Sequence, residues 1–227
     1  MSERQSVIVP VLNGATHILQ AIDSALRQLL PDDEVIVIDN GSGDDTLAML
    51  RSVGDKRLII IEEERPGPAA ARNAGLGLAT GTLISFLDHD DYWPDGRNAG
   101  LLAALSANPD ANAAYGRLRV LVEPGCDDQG MAALDGTFAP SVGLHAHVFR
   151  RDLIDRTGPL DETMRFGEDT DYFTRIRQAG WRPAVYDGDA AVYRRHSANA
   201  TLDVAAKRRG LMAVLARNVK RRRSPDA

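Results

Sequence analysis

The stretch Thr82 to Asp91, TLISFLDHDD, decides how this chain is read. Thr82 to Leu87 is a short apolar run rich in β-favouring residues and opened by Gly81, so it reads as a buried strand. Such a strand delivers Asp88, His89, Asp90 and Asp91 to its carboxyl end. Asp88 and Asp90 bracket one residue, and a DxD at a strand end can hold a hard divalent ion through oxygen while leaving positions for substrate phosphates. The same acids also read as a solvated loop that caps the next helix, and the spacing alone does not separate the two readings.

Working back from this strand, Ser6 to Leu12 is a buried-type strand interrupted at Pro10, after which Asn13 is read as the cap of a helix. Ile18, Ala21, Ile22, Ala25, Leu26 and Leu29 keep the spacing of one helical face, and Pro31 ends the helix. Glu34 to Asp39 is a second strand running into Asn40-Gly41-Ser42-Gly43, and Asp44 and Asp45 are read as first-turn acids of another helix. Leu58 to Ile61 is a third strand, Pro66-Gly67-Pro68 a turn and Ala69 to Ala79 a helix. Alternation of this kind predicts a largely parallel, Rossmann-like sheet with helices on both faces and a ligand beyond the carboxyl strand ends.

Composition bounds the function. The chain has 227 residues, enough for one sizeable core, with 44% hydrophobic and 26% charged residues, ordinary for a globular protein. One cysteine, Cys126, leaves no internal disulfide. With no apolar run of spanning length and no signal-peptide pattern at Met1 to Gln5, a cytoplasmic protein is expected. The net charge of −5 is uneven: residues 207–227 carry +7, which leaves −12 for residues 1–206. That body repels polyanions, so no nucleic-acid partner is expected, whereas the tail attracts them. A glycine cradle for phosphate is missing. Gly75, Gly77 and Gly81 have the wrong spacing and lie at a helix end, acids follow Gly41-Ser42-Gly43, and no GxxxxGK[ST] occurs.

The second half is less regular. Pro94 to Ala107 reads as a helix, Ala113 to Val122 as a strand, Glu123 to Gly136 as a polar loop, and Val142 to Phe149 as an alternating strand carrying His145 and His147. Arg151 to Arg156 reads as a short helix. In RFGEDTDYFTRIRQAGW, Asp169, Phe173 and Ile176 share one stripe, so Asp169 points inward or into a cleft. Asp171 and Arg175 form an i, i+4 pair on another face, expected to be worth only a few tenths of a kcal/mol. Glu168 and Asp169 read equally well as first-turn acids favoured by the helix dipole. At the end, Leu211, Val214, Leu215 and Val219 form an apolar stripe beside Arg217, Lys220, Arg221, Arg222 and Arg223. The favoured reading docks this helix on the body by its stripe. The other lays it on anionic lipid at the inner face of a membrane.

Four ordered segments, SVIVPVLNG, VIVIDNGSGDDT, RPGPAAARNAGLGLATGTLISFLDHDDYWP and FGEDTDYFTRIRQAGW, together resemble the family 2 glycosyltransferases, inverting enzymes of the GT-A fold that use nucleotide-diphosphate sugars. The resemblance implies one GT-A domain over residues 1–200, with a nucleotide-sugar half to about residue 95 and an acceptor half over 96–200, followed by the basic helix and tail at 201–227. It implies nucleotide contacts from Pro10, Val11, Asn13, Asp39, Arg72 and Asp88, with Asp39 accepting from a base N–H and Asp88 near the ribose. Asp90 would ligate a divalent metal, manganese or magnesium, and His196 in AAVYRRHSANAT would complete that site. Asp169 would be the general base, with His89, Asp91, His145 and Glu168 toward the donor sugar or the acceptor. The donor implied is a nucleotide-diphosphate sugar, a UDP-sugar first among them, and the acceptor a saccharide, lipid-linked or other hydroxyl. One departure is Asn40, where the family often has a second acid. A sugar nucleotidyltransferase shares this architecture but needs a glycine- and arginine-rich opening that is missing after Pro10. A non-catalytic nucleotide-sugar binder is opposed by the joint presence of Asp39, Asp88, Asp90 and Asp169.

Overall fold

The computed structural model describes residues 3–126, 143–197, 199 and 204–223, without the side chains at 204, 206, 207, 222 and 223. Seven strands form one sheet: β1 (Gln5–Val11), β2 (Glu34–Asp39), β3 (Leu58–Glu62), β4 (Leu83–Phe86), β5 (Ala113–Val122), β6 (His147–Arg150) and β7 (Pro183–Arg195). Their order is β3-β2-β1-β4-β6-β5-β7. The first four are parallel, β6 runs antiparallel between β4 and β5, and β7 is parallel to β5. The helices are α1 (Ile18–Leu26), α2 (Thr46–Arg51), α3 (Pro68–Leu78), α4 (Arg97–Ala107), α5 (Arg151–Thr157), α6 (Glu168–Gln178) and α7 (Val204–Arg223).

The apolar runs of β1 and β2 are continuous because both faces of the sheet are covered. Val7, Val9, Val11, Val35 and Val37 pack with α1 and with Leu50 of α2, while Ile8, Ile36 and Ile38 pack on the other face with Ala69 and Ala71 of α3 and with Tyr172, Phe173 and Ile176 of α6. A third cluster joins Leu101 and Leu105 of α4 to β5, β6 and β7. The expected α/β architecture with helices on both faces is therefore the observed one.

Several local expectations need correction. Pro10 does not interrupt β1, since it pairs with Ile38 in β2. In a parallel ladder a residue's N–H and C=O face the same neighbour. Ile8 accepts from Leu87 on the β4 side, so Pro10 faces that side too, beyond the last β4 pair, and its missing N–H costs no ladder bond. Asn13 does not cap α1. It adopts φ 53°, and the helix starts five residues later. Its N–H donates to Ser42 Oγ and its Oδ1 accepts from Gly43 N, both at 2.8 Å, which ties the β1 and β2 loops together. Asp44 and Asp45 precede α2 rather than filling its first turn, and Asp44 Oδ1 accepts from Thr46 N. Of the strand expected over Val142 to Phe149, Leu144–Ala146 is a single 3-10 turn and only His147 onward is extended. Residues 127–136 of the expected loop lie outside the described residues.

The C-terminal helix α7 lies along α6, but not by the expected stripe. Val214 is buried, whereas Leu211, Leu215 and Val219 are exposed. Polar arms make the contact instead: Arg217 donates to Asp161 and Thr163, Arg221 to Asp171, and Gln178 to Asn218.

Candidate active site

Parallel strands leave a crevice where β1, β2 and β4 end, and the loops that follow line it. The resulting cleft of about 540 Å³ is lined by Pro10, Val11, Asn13 and Arg72. Asp88, His89, Asp90 and His196 line it too. A hollow of similar volume opens at the other end of the strands, where Arg4 is paired with Glu34 and Arg57 with Asp55.

Asp39 is 2% exposed at the end of β2. Its Oδ2 accepts from Gly41 N at 3.2 Å and Ser42 N at 3.0 Å, while its buried Oδ1 has no hydrogen-bond partner. A buried carboxylate oxygen left unsatisfied is an acceptor waiting for a donor. Asn40 is a clamp. Its amide donates to the carbonyls of Glu63 and Arg65 at 2.8 Å each, and its Oδ1 accepts from Gly67 N at 2.7 Å. A carboxylate there would meet two carbonyl oxygens. Gly14 is required by closeness, because a Cβ would lie 2.7 Å from the His89 ring and 2.5 Å from Val11.

Arg72 is the electrostatic centre of the site. It donates to Asp88 Oδ1 at 2.6 Å and to Glu168 Oε1 at 3.0 Å, joining β4, α3 and α6. Asp88 Oδ2 lies 3.7 Å from His145 Nδ1, which lies 3.8 Å from Asp91 Oδ2. Burial alone would raise the Asp88 carboxyl, but Arg72 and His145 hold it well below the usual carboxylate range. Asp91 is 1% exposed and accepts from Arg194 N, and burial pushes its carboxyl up. His145 is itself buried, which would lower it, yet Asp88 and Asp91 raise it above the ordinary histidine value. Burial also raises Glu168, against the pull of Arg72. His147, by contrast, is packed among Tyr115, Phe149, Phe173 and Trp181, and burial takes it down to about 3.

Asp169 does not line the cleft. It stands half-buried at the Arg72 end, near enough for its charge to act on Arg72, Glu168 and His145, and its Oδ1 accepts from Thr170 N at 2.6 Å. The spacing puts Asp171 on another face, paired with Arg175 and worth little, and the structure differs in how deeply it is buried. Asp171 is fully buried, accepting from Arg175 Nε at 3.0 Å and from Arg221 at 2.7 Å. The expected i, i+4 pair exists, but as half of a buried double ion pair.

Two groups of donor atoms could meet a cation. Asp88, Asp91 and His145 each offer one atom within 4.8 Å of the others. Arg72, paired with Asp88, already brings positive charge to that group, which opposes a further cation. Asp90 Oδ2 lies 3.1 Å from His196 Nε2 and accepts from Asn199 Nδ2 at 3.1 Å. Two donor atoms 3.1 Å apart match adjacent corners of an octahedron about 2.1 Å in radius, and a mixed carboxylate and imidazole pair fits a divalent ion. Sequence reasoning named Asp90 and His196 but missed Asn199, which accepts from His196 N through Oδ1 and holds both partners. It also missed Arg194, whose guanidinium donates to the Asp90 carbonyl and to Glu123. His17 was missed too, its ring 5.0 Å from His196.

The family described as Glycosyl transferase family 2 matches residues 6–202. Among curated relatives, the succinoglycan biosynthesis protein ExoU of Rhizobium meliloti is 34% identical over 215 residues, 84% of this chain and 62% of its own length. WfaP of Escherichia coli, named as a UDP-Glc:alpha-D-GlcNAc-diphosphoundecaprenol beta-1,3-glucosyltransferase, is 39% identical over 92 residues, 40% of this chain and 37% of its own. Among solved structures, the mannosyltransferase PcManGT from Pyrobaculum calidifontis, in complex with GDP-Man and Mn2+, superposes with a TM-score of 0.72 at 23% identity. That match covers 97% of this chain and 65% of PcManGT. S. aureus TarS in complex with UDP-GlcNAc gives 0.72 at 19% identity, over 88% of this chain and 61% of TarS. These likenesses show a GT-A fold. The chain spans about three fifths of the length of ExoU.

Proposed function

The chain belongs to glycosyl transferase family 2, and on that premise we propose that it moves a sugar from a nucleoside-diphosphate donor, UDP-sugars first, to an acceptor hydroxyl with inversion. The observation that carries this reading is the convergence in one cleft of the Arg72–Asp88 pair and the Asp90–His196 pair, with Asp169 near enough for its charge to act on Arg72. Pro10, Val11 and Asn13 bound the base end, and the unpaired Asp39 oxygen suits a base N–H. Asp88, kept ionised by Arg72, suits the ribose hydroxyls. Asp90 and His196 would hold a divalent ion, manganese or magnesium, which when bound supplies Lewis-acid stabilisation of the departing diphosphate. Asp169 takes the acceptor's proton as its oxygen attacks the anomeric carbon, and Glu168, fixed by Arg72, keeps that turn against the cleft. Of the residues expected toward the donor sugar or the acceptor, His89 lines the cleft, whereas Asp91 and His145 are buried and do not line it.

The acceptor proposed is a saccharide hydroxyl, lipid-linked forms included, since WfaP is named for transfer to a diphosphoundecaprenol-linked sugar. Peripheral contact with anionic lipid fits the outer side of α7, where Leu211, Met212, Leu215 and Val219 are about half exposed beside Arg208, Arg209 and Lys220. No described helix is long and apolar enough to cross a membrane. Salt-sensitive co-sedimentation with anionic vesicles is the expected result, and its absence removes the lipid contact.

A panel of sugar nucleotides with and without manganese tests the main reading. Release of nucleoside diphosphate is expected, and release of pyrophosphate, or of neither product, overturns it. Asp90→Ala should abolish the metal dependence of nucleotide binding in a thermal-shift assay, where ligand at about a hundred times its Kd adds about 2.7 kcal/mol. Unchanged manganese-stimulated binding would remove the metal from Asp90.

A further inference from the structure

Among the described residues, none of α7 belongs to any of the three hydrophobic clusters, so the core closes without it. What α7 does touch is α6 and the loop that leads into it. The contact is closest at two glycines: a Cβ on Gly210 would lie 2.8 Å from the Phe166 carbonyl oxygen, and one on Gly167 would lie 3.3 Å from Val214. Gly167 sits at φ 76° immediately before α6, a conformation that favours glycine. From the same side Arg217 donates to Asp161 Oδ2 at 2.7 Å and to Thr163 Oγ1 at 2.8 Å, fixing the start of that loop. Arg221 then reaches the fully buried Asp171.

Asp171 is the last residue of the turn it closes, its N–H donating to the Gly167 carbonyl at 2.9 Å. Between those two residues stand Glu168 and Asp169 and nothing else but Thr170. A charge clamp on Asp171 therefore sets where the carboxylates of Glu168 and Asp169 stand relative to Arg72. Without Arg221, a buried carboxylate keeps Arg175 alone as its cationic partner, and the turn can relax toward solvent.

We infer that α7 is a latch on the first turn of α6, and that Arg221, acting through Asp171, is a positioning residue for Glu168 and Asp169. The kinetic part rests on the reading of Asp169 as general base, and the structural part does not. Hydrogen exchange of the amides at 171–174, the first of α6 to bond back across the turn, as Asp171 does to Gly167, measures the latch directly in the full chain. Arg221→Met should speed their exchange by about tenfold or more, with β1 to β4 unchanged. Gly210→Ala should do the same, because its methyl meets backbone. Arg221→Lys, which can still place a cation on Asp171, should restore protection.

The kinetic readout is a split. In Arg221→Met and Gly210→Ala, kcat should fall by about tenfold or more while the donor KM stays within about twofold. Asn218→Ala breaks a contact between the same helices, the one to Gln178, away from the site, and should leave both exchange and kcat at wild-type values. Unchanged exchange in both Arg221→Met and Gly210→Ala overturns the latch, as does an equal effect of Asn218→Ala. Faster exchange with unchanged kcat overturns the positioning role. If the wild-type chain transfers no sugar, exchange alone decides the latch, and it is the proposed activity that has failed.

Discussion

The two halves of the molecule hold their functional groups by different means. Up to Asp91 the holding is done largely by backbone: Asp39 by the amides of Gly41 and Ser42, Asn40 by two carbonyls and an amide, and Asn13 by loop contacts to Ser42 and Gly43. Beyond it the holding is done by charged side chains far apart in sequence, with Glu168 on Arg72, Asp171 on Arg221, and His196 on Asp90. Backbone-held groups have a geometry that local sequence dictates. Groups held by remote side chains depend on which elements meet, and these can be displaced without unfolding the sheet.

The sharpest test of the second half is Asp169→Asn, which keeps volume and hydrogen-bonding reach but cannot accept the proton. Donor binding, measured by thermal shift, should survive, while nucleoside-diphosphate release in the presence of acceptor should fall by roughly a hundredfold or more. Loss of both would make Asp169 a structural acid. That would also break the comparison, because the second half would then be as rigid as the first.

Next in size is Asp171→Asn. Its carboxylate is fully buried between two arginines, and removing its charge leaves both without their anion, so about 3 kcal/mol of stability should be lost. Chemical denaturation measures this. A loss of a few tenths of a kcal/mol would return Asp171 to the surface pair that the i, i+4 spacing suggested.

That contrast between spacing and structure shows what could be read in advance. Short apolar runs and glycine-marked turns placed β1 to β4 and α3 to within a residue or two, because each responds to its own periodicity. The DxD at the end of β4 sits in the cleft for the same reason. The register of α6 was legible, as Phe173 and Ile176 are buried, but not the burial of Asp171, which depends on α7 arriving fifty residues later with Arg221. Asn199 and Arg194 escaped notice because a polar residue in a loop shows its partner only when the fold brings one. Asp90 is 109 positions from Asn199.

A smaller effect tests the first half. If Asn40 is a backbone clamp, Asn40→Asp should destabilise the chain by about 2 kcal/mol and Asn40→Ala by about the same, since either change strips the carbonyls of Glu63 and Arg65 of their donor. The aspartate also sets a negative charge against them. A denaturant midpoint unchanged in Asn40→Asp would mean that this loop is held by side chains after all, as in the second half.

The smallest expected effect separates two histidines of the second half that lie two residues apart. His147 is wholly buried, its Nδ1 lies 2.9 Å from the Gly143 carbonyl, and burial takes it down to about 3 from the model-peptide value of 6.5. The sign follows from linkage. Below pH 6.5 the unfolded chain binds a proton that the folded chain refuses, so His147 costs stability as pH falls from 6.5 toward 3. Between about pH 7 and about pH 5.5 this amounts to about 1 kcal/mol. His145 acts in the opposite direction. It is raised by Asp88 and Asp91, so its contribution is complete below 6.5 and disappears as pH rises through its higher folded value. His147→Phe should therefore flatten the acid side of the stability profile and leave the alkaline side alone, whatever its effect on absolute stability. Melting temperatures across that range, compared as slopes, measure this. Equal slopes in the two proteins would mean that His147 takes up its proton in the folded state, and that the aromatic cluster around it is open to water.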